Sequence, residues 1–139
     1  MKVHNVLVVD DDDSTRSFLL IVLRQAGFAA DAAASGREAL SRLETTNYSA
    51  VILDVVLPDI SGLEVMRQME LKGRRTKCVV LMSAGAESIL DHAPPALLHT
   101  KLRKPFNIKE VVAAVRGCIE GHDTGDAPFD NYPDKGDNK

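Results

Sequence analysis

The residues able to do chemistry in this chain stand where apolar runs end. Ala50-Val51-Ile52-Leu53 leads straight into Asp54, and Val6-Leu7-Val8-Val9 into Asp10-Asp11-Asp12-Asp13. Cys78-Val79-Val80-Leu81-Met82 runs into Ser83-Ala84-Gly85, and Lys104 follows a weaker run at Leu97-Leu98. Short continuous apolar runs closed by turn residues read as strands covered on both faces, as in a parallel sheet. In open α/β sheets ligands sit beyond the carboxyl ends of the strands, so these polar residues converge on one patch. Three carboxylates in one patch repel one another unless a cation joins them, and hard, partly hydrated oxygen ligands suit Mg²⁺ or Mn²⁺. Screened in this way, Asp54 is free to act as a nucleophile toward phosphorus, while the ion neutralises the incoming phosphoryl group. Lys104 offers a point positive charge to the phosphoryl oxygens and Ser83 a hydroxyl donor.

Helices must lie between these runs. Ser14 is placed to cap the first, whose Phe18, Leu19, Val22, Leu23 and Ala26 recur at helical spacing before Gly27 stops it. Phe28 to Ala33 reads as a weak, Ala-rich edge strand. Ser35 opens a short helix through Ala39, Leu40 and Leu43. A third helix runs from Gly62, with Leu63, Met66 and Met69 inward, and ends at Lys72-Gly73. Glu87 to His92 allows barely two turns before Pro94-Pro95, which cannot continue a helix. Leu97 to Thr100 is a weak fifth strand. Asn107 caps a last helix with an apolar stripe of Ile108, Val111, Val112, Val115 and Ile119. Five strands alternating with helices make a doubly wound α/β domain. The first, third and fourth strands, apolar throughout, belong at the centre, which gives a five-stranded parallel sheet of order 2-1-3-4-5.

Composition sets the bounds. A chain of 139 residues allows one ordinary domain, assigned here to residues 1–120. Gly121 to Lys139 lacks apolar periodicity and is expected to be a disordered acidic tail. That tail accounts for the whole formal charge of −3; a body without net charge or a basic stripe argues against direct nucleic-acid binding. No apolar run reaches bilayer length, and the N-terminus shows no signal-peptide pattern, so a cytoplasmic protein without membrane insertion is expected. Cys78 and Cys118 have no Cys-X-X-Cys spacing and read as buried, reduced thiols. His4, His92, His99 and His122 show no ligand spacing.

The pattern resembles the receiver domain of two-component response regulators, which share a flavodoxin-like (βα)5 fold. The matching residues are Val8-Val9-Asp10-Asp11-Asp12 with Arg16, Leu53-Asp54 through Leu57-Pro58-Asp59-Ile60-Ser61-Gly62, Leu81-Met82-Ser83-Ala84, and Lys104-Pro105-Phe106. The resemblance implies that Asp54 is the phosphoacceptor, and that Asp11 and Asp54 bind Mg²⁺ directly. It implies that Asp10 binds through water and that the backbone carbonyl of Val56 completes the protein ligands. Ser83 and Lys104 would hold the phosphoryl oxygens, and a cis peptide at Pro105 would aim Lys104 inward. It further implies a sensor histidine kinase or phosphotransfer protein as donor, an unknown downstream protein partner, and a phosphorylatable switch without an output domain of its own. Such a chain is no enzyme in the ordinary sense: it assists its own phosphoryl transfer and slow autodephosphorylation.

Two positions depart from the family's pattern. Lys101 stands where an aromatic or His residue usually reports phosphorylation, and Pro94-Pro95 shortens the fourth helix. The signal is therefore expected to leave through Ser83 to His92, with Lys101 solvated throughout. Two other readings compete. A pseudo-receiver working without phosphorylation would have lost an acidic residue, the phosphoacceptor or the lysine, and none is lost. An aspartate-nucleophile phosphatase would place a second acid where Val56 stands.

Overall fold

A computed structural model describes residues 3–72, 78–84 and 98–123. The strands are β1 (Asn5–Val9), β2 (Ala29–Ala33), β3 (Ala50–Asp54), β4 (Val79–Ser83) and β5 (Leu98–Arg103). The helices among the described residues are α1 (Asp13–Gln25), α2 (Gly36–Thr45), α3 (Gly62–Leu71) and α4 (Ile108–Asp123). All four strand pairs are parallel, in the order β2-β1-β3-β4-β5, as the apolar runs predict. Residues 87–92 and the Pro94-Pro95 break lie outside the described residues. So does the tail from 124 onward; α4 itself continues to Asp123, past the boundary placed at 120.

Side chains alternate across a strand, and here both sets are apolar. Val6, Val8, Ile52, Val80 and Met82 pack with Leu19, Leu23, Val111 and Val115 of α1 and α4. Leu7, Val9, Val51, Leu53 and Leu81 pack on the opposite face with Leu43, Val65, Met66 and Met69 of α2 and α3. Burying a Val, Leu or Ile side chain stabilises a fold by about 1.5–3 kcal/mol. The three inner strands therefore fix the sheet, and β2, with Ala29 and Asp31 exposed, serves as an edge.

Several boundaries differ from expectation for local reasons. Asp12, not Ser14, caps α1: its Oδ2 accepts from the Thr15 N–H at 2.8 Å. β5 extends to Arg103, so Lys101 lies within the strand, opposite Leu81. Phe18 and Ile108 stay 37% and 53% exposed instead of joining the core. The expected caps Ser35 and Asn107 hold, through Glu38 N–H (3.1 Å) and Glu110 N–H (2.9 Å). Gly27, at φ 99°, ends α1 as expected. The expectation of reduced cysteines is corrected: Cys78 and Cys118 form a disulfide with Cα atoms 6.1 Å apart. The start of β4 lies beneath the far half of α4, which brings together two buried residues separated by 40 positions in sequence.

The segment from Asp54 to α3 is closed on itself. Gly62 N–H donates to the Val55 carbonyl at 2.8 Å, and Ser61 caps α3. A Cβ at position 62 would press on the Asp54 carbonyl oxygen, a rigid neighbour that cannot swing aside. Overpacking of this kind costs about 1–3 kcal/mol. Gly62→Ala is therefore expected to lower stability by about 2 kcal/mol in urea denaturation. An unchanged midpoint would show that the two segments can part without cost.

Candidate phosphoacceptor and metal site

Asp10, Asp11, Asp54, Ser83 and Lys104 end or follow strands at their carboxyl ends, and the geometry joins most of them. Asp10, immediately after β1, is fully buried. Its N–H donates to the Ala33 carbonyl of β2 at 3.2 Å, and its Oδ1 accepts from Asp12 N–H at 2.8 Å. Asp54 closes β3 with 6% of its surface exposed, and its Oδ1 accepts from Val56 N–H at 3.0 Å. Ser83 closes β4 and is also buried. Asp11 alone of the acidic group faces solvent.

Lys104 is the bridge. Its N–H donates to the Ser83 carbonyl at 2.7 Å, continuing the β4–β5 ladder, and the Lys104–Pro105 bond is cis. Its Nζ reaches back over the strand ends, 2.8 Å from Asp54 Oδ2 and 3.0 Å from Asp10 Oδ2. Burial pushes the Asp54 carboxyl above the ordinary Asp range, and the like charge of Asp10 adds to this. Hydrogen bonds from Lys104 and Val56 N–H oppose the rise without cancelling it. Burial pulls the Lys104 ammonium down, but its bonds to Asp54 and Asp10 outweigh this and leave it above the usual Lys value.

Oxygens of Asp10, Asp11 and Asp54 lie within 4.8 Å of one another. Three acidic oxygens with one ammonium leave a local excess of negative charge, and an all-oxygen donor set fits a hard divalent cation. The acidic cluster could therefore hold a metal. Lys101 is exposed.

Three features were not read from the sequence in these roles. Arg16 steadies Asp10 by donating to its carbonyl at 3.0 Å from Nη1. Asp59 accepts from two N–H groups of α2. A cavity of about 450 Å³ lined by Ser14, Thr15, Phe18, Lys104, Pro105 and Phe106 shares Lys104 with the site. Ser14, Phe18 and Lys104-Pro105-Phe106 each stood out in the sequence, but their spacing carries no signal that they meet around one cavity.

Residues 6–116 match the description of the response regulator receiver domain. The response regulator MprA of Mycolicibacterium vanbaalenii is 35% identical over 114 residues, covering 82% of this chain and 49% of that protein. ResD, a transcriptional regulatory protein of Bacillus subtilis, is 32% identical over 82% of this chain and 47% of its own length. Among solved structures, a putative response regulator from Chloroflexus aurantiacus is 33% identical with a TM-score of 0.76, covering 86% of this chain and 99% of that one. The BeF3-activated receiver domain of DrrB is 29% identical with a TM-score of 0.73, over 86% and 99%. The chain belongs to the receiver-domain family of two-component response regulators. It spans about half the length of the curated relatives it matches. No helix among the described residues is long and apolar enough to cross a membrane.

Proposed function

We propose that this receiver takes a phosphoryl group on Asp54 from a histidine kinase or phosphotransfer protein, and that the modified site changes which protein partner it binds. The observation that carries this reading is the Asp54 carboxylate itself. It is buried at a strand end, held by Lys104 at 2.8 Å, and clustered with Asp10 and Asp11. A carboxylate oxygen of Asp54 attacks phosphorus, the bond from phosphorus to the donor breaks, and the leaving group is protonated by solvent.

Asp11 and Asp54 would hold Mg²⁺ or Mn²⁺ directly, Asp10 through water, and Val56 through its carbonyl. When bound, the ion supplies charge neutralisation for the transferring group. The chain's own residues do the rest. Val56 N–H fixes one Asp54 oxygen and thereby orients the other. The Lys104 ammonium, poised between two carboxylates, can turn to phosphoryl oxygens, and Ser83, buried at the end of β4, would offer them its hydroxyl. The chain assists this transfer and the slow hydrolysis of its own acyl phosphate and turns over no separate substrate. A cytoplasmic location goes with a kinase partner of this kind. Every residue whose loss would mark a pseudo-receiver is in place, and the BeF3-activated relative supports the same use of the site here.

Incubation with an acyl-phosphate donor and Mg²⁺, read by intact mass, tests the proposal. One phosphoryl group should be gained with the metal and none after chelation. No gain under either condition would overturn the reading.

A further inference from the structure

The loop leaving Asp54 is tied to a second helix, and we propose that Asp59 is a positioning residue of the metal site. It would hold the main chain at Val56 in place for a divalent cation through its grip on the start of α2. The inference rests on the reading of Asp54 and its neighbours given above.

The first amides of a helix lack intrahelical partners. In α2 the first bond back along the chain is from Ala39 N–H to the Ser35 carbonyl, at 3.1 Å. Three earlier amides need other acceptors. Glu38 N–H finds the Ser35 hydroxyl at 3.1 Å. Gly36 and Arg37 N–H find the two oxygens of Asp59, each at 2.9 Å, from more than twenty residues away. A carboxylate on helix N-terminal amides makes strong, charge-assisted bonds. Burial works against the Asp59 charge, yet the N–H groups of Arg37, Ile60 and Gly36 outweigh it and bring the carboxyl down to about 2. The Arg37 guanidinium, 3.9 Å away and largely exposed, adds little.

The other end of the loop is the Gly62–Val55 bond. Val56, Leu57 and Pro58 are therefore suspended between two fixed points. The Val56 side chain is 69% exposed, so packing cannot hold this residue where the site needs it. Its main chain is placed by the ties on either side and by its own N–H on Asp54. Ile60, beside Asp59, closes on Gly36 so tightly that a Cβ there would collide with it. That contact seats the loop against α2 at one spot, and Asp59 supplies its directional bonds.

The experiment titrates the full chain with Mg²⁺ alone and follows amide chemical shifts, with thermal melting of the same samples without metal. Asp59→Ala should weaken Mg²⁺ binding about tenfold, the low end of effects seen when partners of metal ligands are removed. Ser35→Ala removes a cap from the same helix without touching the loop. It should lower the melting temperature comparably and leave the affinity within about twofold, well short of that low end. Asp59→Asn keeps an acceptor oxygen, so it carries the test if the alanine variant fails to fold; its affinity should fall between the two. Wild-type affinity in both Asp59 variants would overturn the proposal. Equal weakening in Ser35→Ala would also overturn it, because the stability of α2 would then be the cause. No Mg²⁺-dependent shift in the wild type would overturn the metal site itself.

Discussion

Asp54→Asn is expected to take up no phosphoryl group from an acyl-phosphate donor, and without metal at neutral pH to melt above the wild type. The first result follows from chemistry: an amide is no nucleophile toward phosphorus, and the other carboxylates flank the attack position without occupying it. The second follows from burial. A carboxyl whose folded pKa lies above its unfolded value is penalised for ionising in the native state. Below the ordinary Asp range it is protonated in both states and the substitution should leave stability unchanged. As pH rises through the raised value, the wild type loses stability and the variant does not. The gap in melting temperature should therefore open between acid and neutral pH. A gap that stays closed, or that favours the wild type at neutral pH, would show that Lys104 fully compensates the buried charge. Phosphoryl uptake by the variant at the wild-type rate would remove Asp54 from its role.

Lys104→Met is the second large effect. The ammonium lies 2.8 and 3.0 Å from two buried carboxylates, with its side chain about one quarter exposed. Removing one partner of a buried pair costs about 3–5 kcal/mol when fully buried; partial exposure reduces this to about 2 kcal/mol, or about 8 °C in melting temperature. Its pKa is raised, so the contribution is complete below the ordinary Lys value and disappears only as pH rises beyond it. The loss should therefore be constant across the neutral range. Millimolar Mg²⁺ should raise the melting temperature of this variant more than that of the wild type, because a bound cation takes over the missing charge. A variant that melts with the wild type in metal-free buffer would show that the ion pair does not contribute.

The fold was legible because three strands are apolar on both faces. Val6 to Val9, Ala50 to Leu53 and Cys78 to Met82 can lie only where helices cover both sides, and β2, interrupted by Asp31, can lie only at an edge. The site followed because Asp10, Asp54, Ser83 and Lys104 each end or follow a strand in a topology that gathers those ends. What the sequence withheld were contacts set by tertiary distance. Lys104 was assigned to phosphoryl oxygens, yet at rest it binds the carboxylates. Periodicity could not show that Asp59 faces the start of α2, because the pairing depends on how two loops meet. Cys78 and Cys118 carry no spacing signal, since they meet only when α4 lies across β4. The choice of Asp12 over Ser14 as a cap depends on where the chain turns within a run of four acids.

The bridging position of Lys104 also bears on how far the signal can be felt. At rest, three carboxylates against one ammonium leave two negative charges uncancelled, and one divalent cation brings the cluster to neutrality. A phosphoryl group on Asp54 exchanges that carboxylate's single charge for about −1.5 to −2. The loaded and unloaded sites then differ by no more than about one elementary charge. At a distance of about 8–10 Å such a difference is largely screened by salt. A partner on a remote face would thus meet nearly the same field in either state, and must distinguish them by the shape of the surface and the hydrogen bonds it offers.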